Sequence, residues 1–173
     1  MRPFLLALVV LIAPGVVQAQ AAAPAPACAR SDAGLPPELA AWSAKAPLSA
    51  ANGVTGLDKA VLTLGQAYAA TLVPATDVTY EVKPDRPRAP DARGGLFAVD
   101  VLASGTYAIA LGAGAWVDVV KGRVAQRSTA HSHGPACSTI RKIVSFDLRP
   151  GRYVIQISSS AEATLPILVA ARP

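Results

Sequence analysis

From about residue 60 to the C-terminus, apolar and polar residues alternate in short runs, with glycine turns about every eight to twelve residues. The clearest run is Val144–Ile157. Val144, Phe146 and Leu148 alternate with Ser145 and Asp147, so one face is apolar and the other wet. Arg149-Pro-Gly-Arg152 then supplies a turn, with proline at its second position and glycine, which accepts positive φ, at its third. Tyr153, Ile155 and Ile157 resume the alternation. The pattern predicts a hairpin closed by a type II turn. A two-stranded ribbon cannot bury such a face alone, so it must pack on another sheet.

Val99–Leu111 repeats the grammar. An apolar residue precedes aspartate in both stretches (Val99-Asp100, Phe146-Asp147), a glycine turn follows, and Tyr-x-Ile-x-Leu or Tyr-x-Ile-x-Ile closes the unit. Two antiparallel hairpins obeying the same turn rules account for this; a duplicated unit is the alternative. Two copies are too few for a solenoid or propeller.

Taken in order, residues 20–34 form an Ala/Pro-rich tail, and Leu35–Trp42 a short helix with proline in its first turn and Leu39 and Trp42 on one face. Residues 43–58 read as loop. Strands are predicted at Val61–Leu64, Ala67–Leu72 and Thr76–Val82. Pro84–Gly95 reads as an exposed, mobile connection. Further strands follow at 96–102, 106–111 and 115–120, a two-residue turn at Lys121-Gly122, and a strand over Arg123–Arg127. Ser128–Thr139 reads as an irregular loop; the hairpin over 140–158 and a closing strand at Thr164–Ala170 complete the chain. This is an all-β fold, a β-sandwich or jelly roll of eight to ten short antiparallel strands over residues 60–173, preceded by a helix and loop at 35–59. No segment has the length and period of a crossover helix.

Leu62-Thr-Leu-Gly-Gln-Ala-Tyr-Ala-Ala-Thr-Leu72, Phe97-Ala-Val-Asp-Val101 and Gly105-Thr-Tyr-Ala-Ile-Ala-Leu111 resemble the bacterial pre-peptidase C-terminal type of domain. The resemblance spans roughly residues 60–120. It implies a small β-sandwich of the kind appended to secreted enzymes, here without a peptidase domain.

Residues 1–19 read as a secretory signal: Arg2 as the charged region, Phe4–Val17 as the apolar region, and Val17-Gln-Ala19 as the cleavage site, with Ala19-Gln-Ala21 as a second option. The apolar run is too short for a spanning helix. Export to the periplasm or beyond follows. Cleavage would remove one charge, Arg2, from a formal net charge of +5, leaving a mildly basic chain. Its cations are scattered and not interleaved with exposed aromatics, which argues against nucleic acid. Weak attraction to anionic envelope surfaces is the alternative to simple solvation. Two cysteines in an exported chain predict one disulfide, Cys28 to Cys137.

His131-Ser-His133 is the histidine cluster of the chain. On a strand such a pair shares one face, as in cupin and other metal sites. A 2-His-1-carboxylate iron site also needs a carboxylate close by, and residues 134–140 hold none. A plain loop is the reading preferred, with a metal site at His131 and His133 as the rival. Asp100, Asp118 and Asp147 each lie between apolar neighbours and read as solvated outward positions. Trp42, Trp116, Tyr107 and Tyr153 read as core rather than as sugar-stacking platforms. Phosphate loops, zinc-finger spacings and a G-x-S-x-G nucleophile elbow are absent from the sequence. The chain is therefore expected to be a non-catalytic binding or scaffolding module with no cofactor, its partner a periplasmic protein or a glycan. The alternative is a cupin-type metal-dependent dioxygenase, similar to homogentisate 1,2-dioxygenase, using iron or another divalent metal at His131 and His133.

Overall fold

The computed structural model describes residues 28–29, 31–85 and 89–172. The expected signal at 1–19, tail residues 20–27 and residues 86–88 of the predicted loop lie outside the described residues. Two sheets face each other across one core. The first contains, in order, β1 (Ala46–Ser49), β3 (Ala67–Thr71), β12 (Thr164–Ala171), β6 (Gly105–Leu111), β10 (Lys142–Leu148) and β9 (Ser128–Ser132). The second runs β2 (Val61–Leu62), β5 (Arg93–Val101), β11 (Gly151–Ser160), β7 (Trp116–Lys121) and β8 (Val124–Ala125), with β4 (Val73–Pro74) also paired to β5. The all-β sandwich expected from the alternation is present. The sheets are mixed rather than wholly antiparallel, since β1 runs parallel to β3 and β2 parallel to β5.

The predicted hairpin is not a hairpin. β10 belongs to the first sheet and β11 to the second, and the Arg149-Pro-Gly connection carries the chain across the core. β5 and β6 make the same crossing upstream. The two crossings lie against each other: β10 pairs with β6 so that Asp147 opposes Thr106, and β11 pairs with β5 so that Arg152 opposes Asp100. This accounts for the repeated grammar. Thr106 Oγ1 donates to Asp147 at 2.7 Å, and Arg152 approaches Asp100 at 3.9 Å. Each aspartate thus meets a donor from the other crossing. Each tyrosine closes its own corner: Tyr107 donates to Ala103 O at 2.8 Å, and Tyr153 donates to Arg149 O at 2.9 Å. A tyrosine reaching back four residues is a known fastening of sandwich corners. The inward residues Phe146, Leu148, Tyr153, Ile155 and Ile157 all enter one core.

Gly151 has φ +144°, positive as expected but far from the roughly +80° of a type II turn, because the connection spans two sheets instead of joining neighbours. A side chain there would meet only the flexible end of Lys121, so the backbone sets the cost. Gly151→Val is expected to destabilise the fold by about 1–3 kcal/mol. Thermal melts would show it, and a wild-type midpoint in the variant would mean that the corner adapts without strain.

Each outer face is covered in part. On the first sheet, a 3-10 helix (Pro37–Ser43) lays Leu39 and Trp42 over Ala67, Ala110, Leu168 and Ala170, whose small side chains leave room for the indole. Trp42 is completely buried and donates from Nε1 to Thr139 Oγ1 at 2.8 Å. The tail expected to be loose is fastened from Cys28 onward: Cys28 is bonded to Cys137 with Cα atoms 5.3 Å apart, and Asp32 accepts from the Thr139 amide at 2.8 Å. Residues expected as loop at 43–58 hold β1 and a second 3-10 helix, Val54–Lys59.

On the second sheet the cover is the segment predicted as a strand at Thr76–Val82. It opens with a 3-10 turn (Ala75–Asp77) and then crosses the sheet without joining a ladder. Its amide groups bond to a side chain instead: Gln156 Oε1 accepts from Glu81 N at 2.6 Å and Val82 N at 3.1 Å, and Gln156 Nε2 donates to Val82 O at 3.2 Å. Tyr80 donates to Ile157 O at 3.2 Å. Gly94, read from sequence as part of a loose loop, lies in β5 beneath this cover. A β-carbon on it would collide with the Tyr80 hydroxyl and sit 2.7 Å from Ile157 O. The glycine is there for close approach, not for mobility.

Two boundaries also move. The expected strand at Arg123–Arg127 shrinks to Val124–Ala125, with the tight turn at Gly122-Arg123. The expected loop at Ser128–Thr139 begins with strand β9, paired along β10.

Candidate functional site

β7 is bordered by β8 only near its C-terminal end, where Val120 and Lys121 pair with Ala125 and Val124. Below that point, apart from the Gln126 amide on Val119 O at 2.7 Å, the edge opens into a cleft of about 530 Å³ between β7 and the β9–β10 edge of the other sheet. Val117, Val144 and Phe146 form an apolar floor. Trp116 and Asp118 stand on β7, Gln126 and Arg127 lie in the link to β9, and His131, Lys142 and Asp85 complete the wall.

The alternation along β7 explains how both kinds of group reach the cleft. Val117 and Val119 point into the core, so Trp116 and Asp118 point the other way. Trp116 was expected in the core; it is half-buried and lines the cleft instead. The other aromatics, Trp42, Tyr107 and Tyr153, are buried as expected. Trp116 Nε1 donates to Asp118 Oδ1 at 2.9 Å. Lys142 reaches across from β10, donating to Ala115 O at 3.1 Å, with its ammonium 5.5 Å from the centre of the Trp116 ring.

Asp118 is outward as expected but not solvated, because the segment over β11 shields it. Burial pushes its carboxyl above the ordinary carboxylate range, and the charge of Asp85 adds to the push. The Trp116 indole, the Gln156 amide and Lys142 pull it part of the way back. Its Oδ2 is buried with no hydrogen bond of good geometry among the described residues. A carboxyl with a raised folded pKa contributes its stability in the protonated form and loses it as pH rises through its titration. The stability advantage of wild type over Asp118→Asn is therefore expected to shrink as pH rises through the ordinary carboxylate range and above it. Denaturant midpoints at several pH values would show it; a difference that grows with pH would mean that the carboxylate is held by a donor.

Asp100 and Asp147 are exposed on the outer faces of opposite sheets, so the three aspartates do not form one acidic face. His131 sits on β9 and His133 just beyond it, both exposed, in a strand and its continuation rather than in an irregular loop. His133 Nδ1 lies 3.4 Å from Arg141 O. Among the described residues no three His, Cys, Asp or Glu side chains converge as a metal-holding group. The two histidines line a shallow groove of about 400 Å³ beside the main cleft, with Gly114, Ser132, Arg141 and Lys142.

Sequence reading passed over Gln156, Lys142 and Gln126. Gln156 carried a signal, being an amide in the apolar run Tyr-Val-Ile-Gln-Ile. Its bonds to the covering segment, at Glu81 and Val82, are what the sequence does not show.

No protein-family model matches the chain, and no curated protein matches it. Among solved structures, the chain is similar to the pre-peptidase C-terminal domain of collagenase from Bacillus anthracis, with 14% identity and a TM-score of 0.39, over 64% of this chain and 92% of that domain.

Proposed function

We propose that the chain is an exported binding or scaffolding module of the periplasm or cell exterior, and that its ligand sits in the cleft between β7 and β10. The observation that carries this reading is the lining: an apolar floor, one indole and a few polar groups converging at an open edge of the sandwich. Such a mixture suits recognition, with apolar area for affinity and sparse polar groups for orientation. The Cys28–Cys137 disulfide supports an oxidising compartment. The partner is a glycan or an extended segment of another protein. The rival dioxygenase draws no third metal ligand from the described residues around His131 and His133.

The two tryptophans make the test direct. Trp42 is sealed under the opposite cover and Trp116 lines the cleft. In a Trp42→Phe background, oligosaccharides and extended peptides are titrated while Trp116 fluorescence is read. A saturable change, lost when Trp116 is also replaced by phenylalanine, supports the cleft and says which class binds. No saturable change with either class would sink the reading.

A further inference from the structure

The groove beside the main cleft has an unusual wall. His131, His133, Arg141 and Lys142 line it with Ser132 and Gly114, and no carboxylate is among its lining residues. Arg141 is exposed, and among the described residues its guanidinium makes no ion pair; the two ion pairs found there both belong to Arg152. Bringing two permanent cations, Arg141 and Lys142, to one hollow costs self-repulsion that a bound anion would offset. The same charges oppose a metal ion, since any cation held by the histidines would sit beside Arg141 and Lys142.

The elements hold this arrangement in place. β9 pairs with β10, so His131 lies opposite Val144, and the Arg141 amide donates to Leu111 O at 2.8 Å, fixing the start of β10 against β6. Lys142 is drawn toward the second sheet by Ala115 O, which sets its ammonium at the boundary between the groove and the main cleft. We propose that this groove binds an oxyanion, a phosphate or carboxylate group, with Arg141 as its principal donor and Ser132, His131 and His133 as further donors. Arginine's planar fork suits two oxygens of such a group. The inference goes beyond the reading of the main cleft and does not require it.

Arg141 and His133 line the groove and not the main cleft, whereas Asp118 lines the main cleft alone. The test is titration of the full chain at low ionic strength with inorganic phosphate by calorimetry, and sedimentation with vesicles containing phosphatidylglycerol. Zinc chloride is titrated in parallel. Wild type is expected to bind phosphate or the vesicles, with affinity falling about tenfold or more in Arg141→Ala and changing little in Lys59→Ala, which removes an exposed cation outside both hollows. Binding to the vesicles but not to free phosphate places the group on a lipid; binding to phosphate places it free or on another carrier. Binding to neither, equal affinity in Arg141→Ala, or stoichiometric zinc lost in His131→Ala without phosphate binding would each overturn the proposal. Thermal melts of Arg141→Ala confirm that the variant compared is folded.

Discussion

Replacing both cysteines, Cys28→Ser with Cys137→Ser, is expected to lower stability by about 4–5 kcal/mol. The bond closes a loop with a sequence separation of 109, which holds β1 to β9 and leaves β10, β11 and β12 outside it. Cutting it releases the denatured chain from one long closure, and the loss grows slowly with loop length. The native contacts around it should persist in part, because Ser31 N still donates to Cys137 O at 2.8 Å through backbone atoms, and Asp32 still meets Thr139. The effect is therefore read in unfolding free energy, by urea titration of variant and wild type. Thiol titration of the unreduced protein should find no free thiol from either cysteine. A stability change below about 1 kcal/mol would mean that the denatured chain was already restrained, as compact denatured ensembles can be.

Gln156→Leu is expected to cost about 3 kcal/mol, roughly one partly buried amide or carbonyl group left unpaired after another. The residue is fully buried, and its single amide bonds the Glu81 amide and both polar groups of Val82. Leucine would keep the volume and remove all three bonds, and the cover over β11 would lose its anchor. Asp118 would also lose a neighbour that favours its charged form, so its carboxyl should move further above the ordinary range. Urea midpoints and hydrogen exchange of the Glu81 and Val82 amides would report the two consequences. Unchanged exchange at both amides would mean that the cover is held by Val78 and Tyr80 rather than by the glutamine.

The corner tyrosines show where sequence reading succeeds and where it stops. Alternation at Val144, Phe146, Leu148, Tyr153, Ile155 and Ile157 identified the buried face correctly, and each of these six lies in the core. Alternation reports which side of a strand meets the core and nothing about which strand supplies its hydrogen bonds. A hairpin within one sheet and a crossing between two sheets bury the same residues, so the Pro-Gly turn was legible as a turn but not as a corner. The same limit hid the cleft. His131 and Trp116 were visible as residues of interest, yet β9 became a strand only because β10 lay open beside it, and Trp116 faced out only because Val117 and Val119 claimed the core.

The sequence by itself determined the class of fold, the buried faces of the main strands and the cysteine pairing, because these depend on local alternation, turn chemistry and the simple presence of two thiols. The tertiary structure decided which strands share a sheet, what covers Gln156 and Asp118, and which side chains line the cleft and the basic groove. Those outcomes depend on contacts between segments up to 109 residues apart, such as Asp32 with Thr139 and Gln156 with Val82, whose energies no local pattern encodes.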